Sequence, residues 1–300
     1  MDREELELFR ASLRQACSSH TGKALDDALD ELGWRDALAA DRRAAVSTLF
    51  EEQGRANATS SALDVVMADA LGVDAAVVLP PLGRWDPPGV RGLGTGALQR
   101  RERAAVVANE TLIVVDTADL TLRPIGGIDP ALEMVEVSAE GLPAGTQPAA
   151  WPAAVAAGRL ALAHELVGAS RAMLQLARDH AVERIQFGRP IAAFQAVRHR
   201  LAETLVAIEA ADAALDAAWE IESPMNAALA KAIAGRSART VARHCQQVLA
   251  GIGFTTEHPL HRYVKRTIVL DQLFGSAKVL TAELGNDLVT TKQLPPMLPL

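Results

Sequence analysis

Cysteine is almost absent from the 300-residue chain, which holds only Cys17 and Cys245. Two isolated thiols give neither a disulfide framework nor a metal spacing. Each falls in an apolar-periodic stretch and reads as a small buried hydrophobe. Aromatic residues are scarce at 4%, against a hydrophobic fraction of 49%. The core must therefore be built from Ala, Leu and Val, which favours closely packed helices. No run reaches the ~18 apolar residues of a membrane span, so no membrane partner is expected. The opening Met1-Asp-Arg-Glu-Glu is acidic and leads into no apolar core, so no signal peptide is expected and the protein should be cytoplasmic. There is no excess of positive charge: the net charge is −7, which argues against a nucleic-acid partner. No G-x-G-x-x-G fingerprint leads from a strand into a helix. Gly92-Leu-Gly94-Thr-Gly96 reads as a flexible loop. The seven histidines are scattered, and His258 and His261 lack a third ligand at useful spacing.

The hydrophobic period then lays out the chain. Helices are predicted over 4–17, 24–32, from an Asp41 cap to Gly54, and over 61–71. Leu79–Gly96 carries Pro80-Pro81 and Pro87-Pro88 and reads as a boundary loop. Short β-branched runs at 104–108, 111–117, 120–125 and 133–138 suggest a small antiparallel sheet or barrel remnant. Leu142–Pro152 reads as a linker. Long helices follow over 159–182, from Phe194 to a stop at Ser223-Pro224, from an Asn226 cap to Gly251, over 260–274 and over 276–288. They suit a four-helix bundle with extensions, and the tail from Gln293 should be loose. The division expected is 1–78 helical, 79–148 a reduced β-domain and 149–300 the bundle. The fold class is mainly α with a small β-domain.

One stretch organises the second half: Arg184-Ile-Gln-Phe187-Gly188-Arg189-Pro190-Ile191-Ala-Ala-Phe194-Gln195. A helix must stop, turn and restart here. Gly188 suits a left-handed cap ending the first helix at Phe187-Gly188, and Pro190 suits the opening of the next. Arg184 brings a rigid fork of donors and Gln195 an amide that both donates and accepts. Such a pair at the mouth of a helix hairpin suits a diphosphate. A plain helical corner with a solvated Arg is the other reading.

These residues resemble the R-x-x-F-G-x-P-I-x-x-F-Q hairpin of the acyl-CoA dehydrogenases. A second stretch, Gln247-Val-Leu-Ala250-Gly251-Ile-Gly253-Phe254 with Pro259, is similar to that family's Q-x-x-G-G-x-G segment, with Ala250 in place of the first Gly. The resemblance is dense from about Gly158 to Ser276. It implies an N-terminal helical domain carrying Glu51, Glu52, Gly54 and Arg55, a middle β-domain, and a C-terminal four-helix bundle. It also implies FAD as cofactor, with Arg184, Phe187, Gln195, Gln247 and Gly251 gripping the ADP part of a flavin whose ring lies in a neighbouring subunit. The Thr/Ser-rich segment and Trp strand that hold the ring are not found here. Trp85, in the Pro-rich loop, is the only Trp nearby.

Family members remove the α-proton of an acyl-CoA thioester with a carboxylate while hydride leaves to FAD. Counting from the two motifs puts Phe274 and Gly158 at the family's base positions, and neither accepts a proton. No catalytic residue is therefore assigned. Glu165, two turns beyond Gly158, reads as surface or interface. The resemblance implies an enzyme that works as a complex, inactive alone. Its partner would be a homologous full-length acyl-CoA dehydrogenase subunit in an α2β2 tetramer, which binds most of the acyl-CoA. Some actinobacterial members of this kind act on steroid side-chain CoA thioesters. Two alternatives stay open: a self-sufficient enzyme with an unusual base such as Glu165, and a helical assembly protein without flavin.

Overall fold

The computed structural model describes residues 1–143, 145 and 147–292; the tail from Gln293 lies outside the described residues. Five helices come first: α1 (Arg3–Ser19), α2 (Lys23–Glu31), α3 (Trp34–Ala40), α4 (Arg42–Ala56) and α5 (Ala62–Leu71). α1 opens on a capping box, Asp2 accepting from the Glu5 N–H and Glu5 from the Asp2 N–H. Asp41 caps α4 through the Ala44 N–H, as its position predicts. α3 has no counterpart in the sequence reading, because seven residues are too few to display a period. Trp34 fixes it, buried and donating its indole N–H to the Ala45 carbonyl.

The middle of the chain forms two small sheets. Their strands are β1 (Ala76–Val77), β2 (Arg91–Gly94), β3 (Arg103–Ala108), β4 (Thr111–Asp116), β5 (Thr121–Pro124), β6 (Val135–Ser138) and β7 (Gln147–Pro148). One sheet runs β1-β3-β4-β7 and the other β2-β6-β5. Asn109 and Glu110 both take positive φ at the tip of the β3–β4 hairpin, matching the twist of its strands. The glycines at 92–96 are not a flexible loop. They make β2 and a 3-10 turn, and a Cβ on Gly92 would run into the Leu79 carbonyl.

The second half holds α6 (Trp151–Glu183), β8 (Ile185–Gln186), β9 (Arg189–Pro190), α7 (Gln195–Glu220), α8 (Pro224–Leu249), α9 (Leu260–Gln272) and α10 (Ala277–Thr291). α6 begins eight residues before the predicted start at Arg159. Its Ala-rich first turns carry no readable stripe, Pro152 costs no hydrogen bond there, and the Trp151 indole N–H is held by the Trp85 carbonyl. α8 is capped by Ser223, which accepts from the Asn226 N–H; Asn226, the expected cap, gives its side-chain amide back to the Ile221 carbonyl. α9 ends at Gln272, two residues short of Phe274.

α6 is the central helix and packs on α4, α5, α7, α8 and α9. Glycine sets its approach to α4. A Cβ on Gly168 would collide with the Glu51 carbonyl, and one on Gly54 with the Glu165 carbonyl. The two helices thus touch backbone to backbone through reciprocal notches. The helical halves share one hydrophobic core, from Leu13 and Leu25 to Leu270 and Phe274. The sheets enclose a smaller one around Val106, Ile113 and Val135. Both cysteines are buried, and burial pushes each thiol up to about 12.

Candidate functional site

The organising stretch is a β-hairpin between α6 and α7, not a direct helix-to-helix turn. α6 stops at Glu183, and β8 pairs with β9 across Phe187 (φ 53°) and Gly188 (φ 77°). Two successive positive φ values make a two-residue hairpin turn, so Phe187-Gly188 closes a ribbon and does not cap the helix. Pro190 belongs to β9 and leads into a 3-10 turn at Ile191–Ala193; α7 starts only at Gln195. The Ile191 N–H donates to the Arg184 carbonyl, closing the base of the ribbon. Arg184 and Gln195 are both exposed at its two ends, and Phe187 projects from the tip, 90% exposed. Arg189 lies 4.4 Å over the Phe194 ring, which meets Phe187 edge to face.

The start of α7 and the end of α8 meet beside this ribbon in a cleft of about 380 Å3. Ala196 and Arg200 line one wall, Arg243, His244 and Gln247 the other. His244 orders it. Its Nε2 lies 3.0 Å from Arg200 Nη1, and its Nδ1 lies 3.0 Å from the Thr204 hydroxyl, which itself donates to the Arg200 carbonyl. A guanidinium only donates, so Nε2 accepts and Nδ1 carries the proton. Burial, then Arg200 and Arg243, hold the His244 pKa below its ordinary value despite Glu203. The imidazole is thereby kept neutral and holds the Arg200 guanidinium in place. Sequence reasoning named Gln195 and Gln247 but missed Arg200, Arg243 and His244. The signal was Arg243, one helical turn before Gln247 on the same face. Gly251, in the 3-10 turn after α8, has open space around it.

Ala250 stands at φ 53°, ψ −135°, a conformation that suits glycine. Ala250→Gly should raise stability by about 1 kcal/mol, the cost of such a residue offset by the freer unfolded chain. Thermal denaturation checks this, and a fall in Tm contradicts it.

The two positions counted as base sites come together. A Cβ on Gly158 would lie 2.8 Å from the Phe274 ring, so the missing side chain makes room for the aromatic one. Phe274 is 1% exposed, stands at φ 55°, and fills the space between α6 and the α9–α10 turn. Arg159 donates through Nε to the Phe274 carbonyl and lies 5.2 Å from the ring of Trp85, which closes the site from its loop. Burial pushes Arg159 down to about 10. No carboxylate reaches this point among the described residues within hydrogen-bond distance of Phe274 or Arg159.

Glu165 is not at the surface. It is 2% exposed, and its Oε1 lies 3.4 Å from Nη1 of the fully buried Arg266. The same guanidinium donates to Asp129 (2.5 Å), the Ala58 carbonyl (2.6 Å) and the Thr59 hydroxyl (3.0 Å). Burial pushes Glu165 up to about 7, against the pull of Arg266 and Gln53. Arg266 thereby links Glu165 of α6 to the turn between β5 and β6 and to the α4–α5 loop.

Residues 150–288 match the family model described as acyl-CoA dehydrogenase, C-terminal domain. The acyl-CoA dehydrogenase IpdE2 of Mycobacterium tuberculosis is 29% identical across 95% of this chain and 97% of its own length. IpdE2 of Mycolicibacterium smegmatis is 30% identical across 76% and 74%. Among solved structures, the Tcur3481–Tcur3483 steroid ACAD variant superposes with a TM-score of 0.83 at 23% identity over 96% of this chain and 99% of that one. The ChsE4–ChsE5 complex of Mycobacterium tuberculosis superposes with a TM-score of 0.76 at 20% identity over 99% of each chain. The fold is that of the flavin-dependent acyl-CoA dehydrogenases. The chain belongs to the acyl-CoA dehydrogenase family, whose cofactor is FAD. No helix among the described residues is long and apolar enough to cross a membrane.

Proposed function

We propose that this chain is the partner-dependent subunit of a heteromeric acyl-CoA dehydrogenase, holding the ADP half of FAD while a homologous full-length subunit supplies the catalytic carboxylate. The observation that carries this is Phe274 packed against Gly158: both family base positions are occupied, and neither can take a proton. The cofactor half fits its residues. Arg184 and Gln195 stand free at the ribbon ends, Gln247 opens onto a cleft with two guanidinium groups, and Gly251 leaves room for close approach. FAD, when bound, supplies the hydride acceptor for the β-carbon. In this reading Arg184 binds and orients the diphosphate, Gln195 and Gln247 bond its sugar and adenine side, and Phe187 covers it. Exposed Phe187, Phe254, Ile185 and Val182 give this end an apolar surface that a partner would cover. The ChsE4–ChsE5 complex and the Tcur3481–Tcur3483 steroid ACAD support a partner subunit and a steroid side-chain CoA substrate here. Glu165 as a base finds no support, since Arg266 already holds its carboxylate in the core.

Purified alone with added FAD, the chain should turn over no acyl-CoA, and Phe274→Glu should restore little, because the sequence shows neither the Thr/Ser-rich segment nor the Trp strand that would hold the ring. Co-expressed with its partner, the complex should be active. Steady turnover by the chain alone would contradict the proposal.

A further inference from the structure

Another cleft, about 620 Å3 in volume, lies at the start of α9. Four separate parts of the chain form it: the end of α1, the end of α4, the turn at Asp129 and the first turns of α9. We propose that this cleft binds a phosphorylated, hydroxyl-bearing small molecule of nucleotide size, with Arg262 and Lys265 on the phosphate and Asn57 and His261 on a hydroxyl group.

Charge is the first argument. The chain as a whole carries −7, yet the cleft gathers Arg262 and Lys265. Among the described residues, neither Arg262 nor Lys265 has a carboxylate within ion-pair distance. The one acidic side chain in the lining is Asp129, and its Oδ2 is taken by Arg266 Nε at 2.5 Å. The field inside is therefore positive, and α9 adds the positive end of its dipole. An anion that meets an arginine fork is a phosphate or a carboxylate. The size of the cleft favours a phosphate carried on a larger body.

Unspent hydrogen-bonding capacity is the second argument. Asn57 Oδ1 and His261 Nδ1 are both buried on this wall without a partner. Buried polar atoms are nearly always bonded, and each orphan costs about 1–3 kcal/mol. A sugar hydroxyl, which donates and accepts at once, satisfies an amide oxygen and an imidazole nitrogen together. Asn57 is placed for this by its own backbone, at φ 52° in the C-cap of α4. The cleft binds without reacting. Its only thiol, Cys17, is buried and pushed up to about 12, and its only carboxylate is ion-paired.

The test is calorimetric titration of the full chain with ADP, pyrophosphate and adenosine. ADP should bind saturably, pyrophosphate more weakly, and adenosine not at all. Arg262→Gln with Lys265→Gln, both exposed positions, should weaken ADP at least tenfold. Asn57→Gly, which keeps the left-handed backbone, should weaken ADP but not pyrophosphate. Gly285→Ala, where an added Cβ meets nothing, is the control and should leave ADP binding unchanged. The proposal is overturned if neither ADP nor pyrophosphate binds. It is equally overturned if Arg262→Gln with Lys265→Gln leaves the ADP affinity unchanged, which places ADP outside this cleft.

Discussion

Arg266→Met should lower the unfolding free energy by about 3–5 kcal/mol at pH 8, with a smaller loss near pH 5. The guanidinium is 0% exposed and serves Asp129, Glu165, the Ala58 carbonyl and Thr59 together. Removing it strands a carboxylate at 2% exposure, and a buried charge that loses its partner costs far more than the pair contributed. The pH dependence follows from Glu165. Its folded pKa is about 7 against an ordinary 4.5. Between those values the native state holds a proton that the unfolded chain has released, so stability falls as pH rises through the window. The whole fall is at most about 3 kcal/mol. Arg266 is among the groups that restrain this shift, so its loss raises the Glu165 pKa further and extends the fall to higher pH. Denaturant unfolding of both proteins at pH 5 and pH 8 measures it. A deficit independent of pH would show that Glu165 is not the coupled group.

Gly168→Ala should be nearly as damaging, at about 3 kcal/mol or more. Most exposed helical glycines gain from alanine. Here the added methyl meets the Glu51 carbonyl, which is backbone and cannot rotate away. α4 and α6 must separate, and Gly54, the reciprocal notch, loses its fit against the Glu165 carbonyl. The same substitution at Gly285 of α10, where a Cβ meets nothing, should be neutral or mildly stabilising. Thermal unfolding of the two variants side by side decides it: equal Tm values would mean that the α4–α6 contact tolerates a methyl group.

The local chemistry of the hairpin was legible in the sequence because Arg184, Gly188, Pro190 and Gln195 are a few residues apart and each has a distinct backbone or bonding property. Its exact geometry was not, since one Gly after Phe187 suits a helix cap as well as a two-residue ribbon turn. The pairing of Phe187 and Gly188 at positive φ depends on β8 finding β9. The strands β3 to β6 were read from β-branched runs. β2 was hidden because its glycines look like a loop, and only the backbone of Leu79 explains them. The buried charges were the least legible. Arg266 lies in Val264-Lys265-Arg266-Thr267, and Lys231, fully buried with its ammonium on the Asp271 carbonyl, lies among alanines. No period tells a core cation from a solvated one, because its partners come from distant segments. Glu165 gave one hint: Ala161 and Ala169 flank it at four-residue spacing, a face too apolar for a surface carboxylate.

The flavin content of the purified complex with its partner, wild type against Arg184→Ala, tests the central claim most directly. If the ribbon and the end of α8 hold the ADP half of FAD, Arg184 gives charge-assisted bonds worth roughly 1.5–3 kcal/mol. The variant complex should then retain FAD about ten- to a hundredfold more weakly, with both chains still co-purifying. Arg184→Lys should recover only part, since an ammonium cannot make the bidentate contact. Unchanged flavin stoichiometry and affinity in Arg184→Ala would reduce the hairpin to a structural corner and contradict the account.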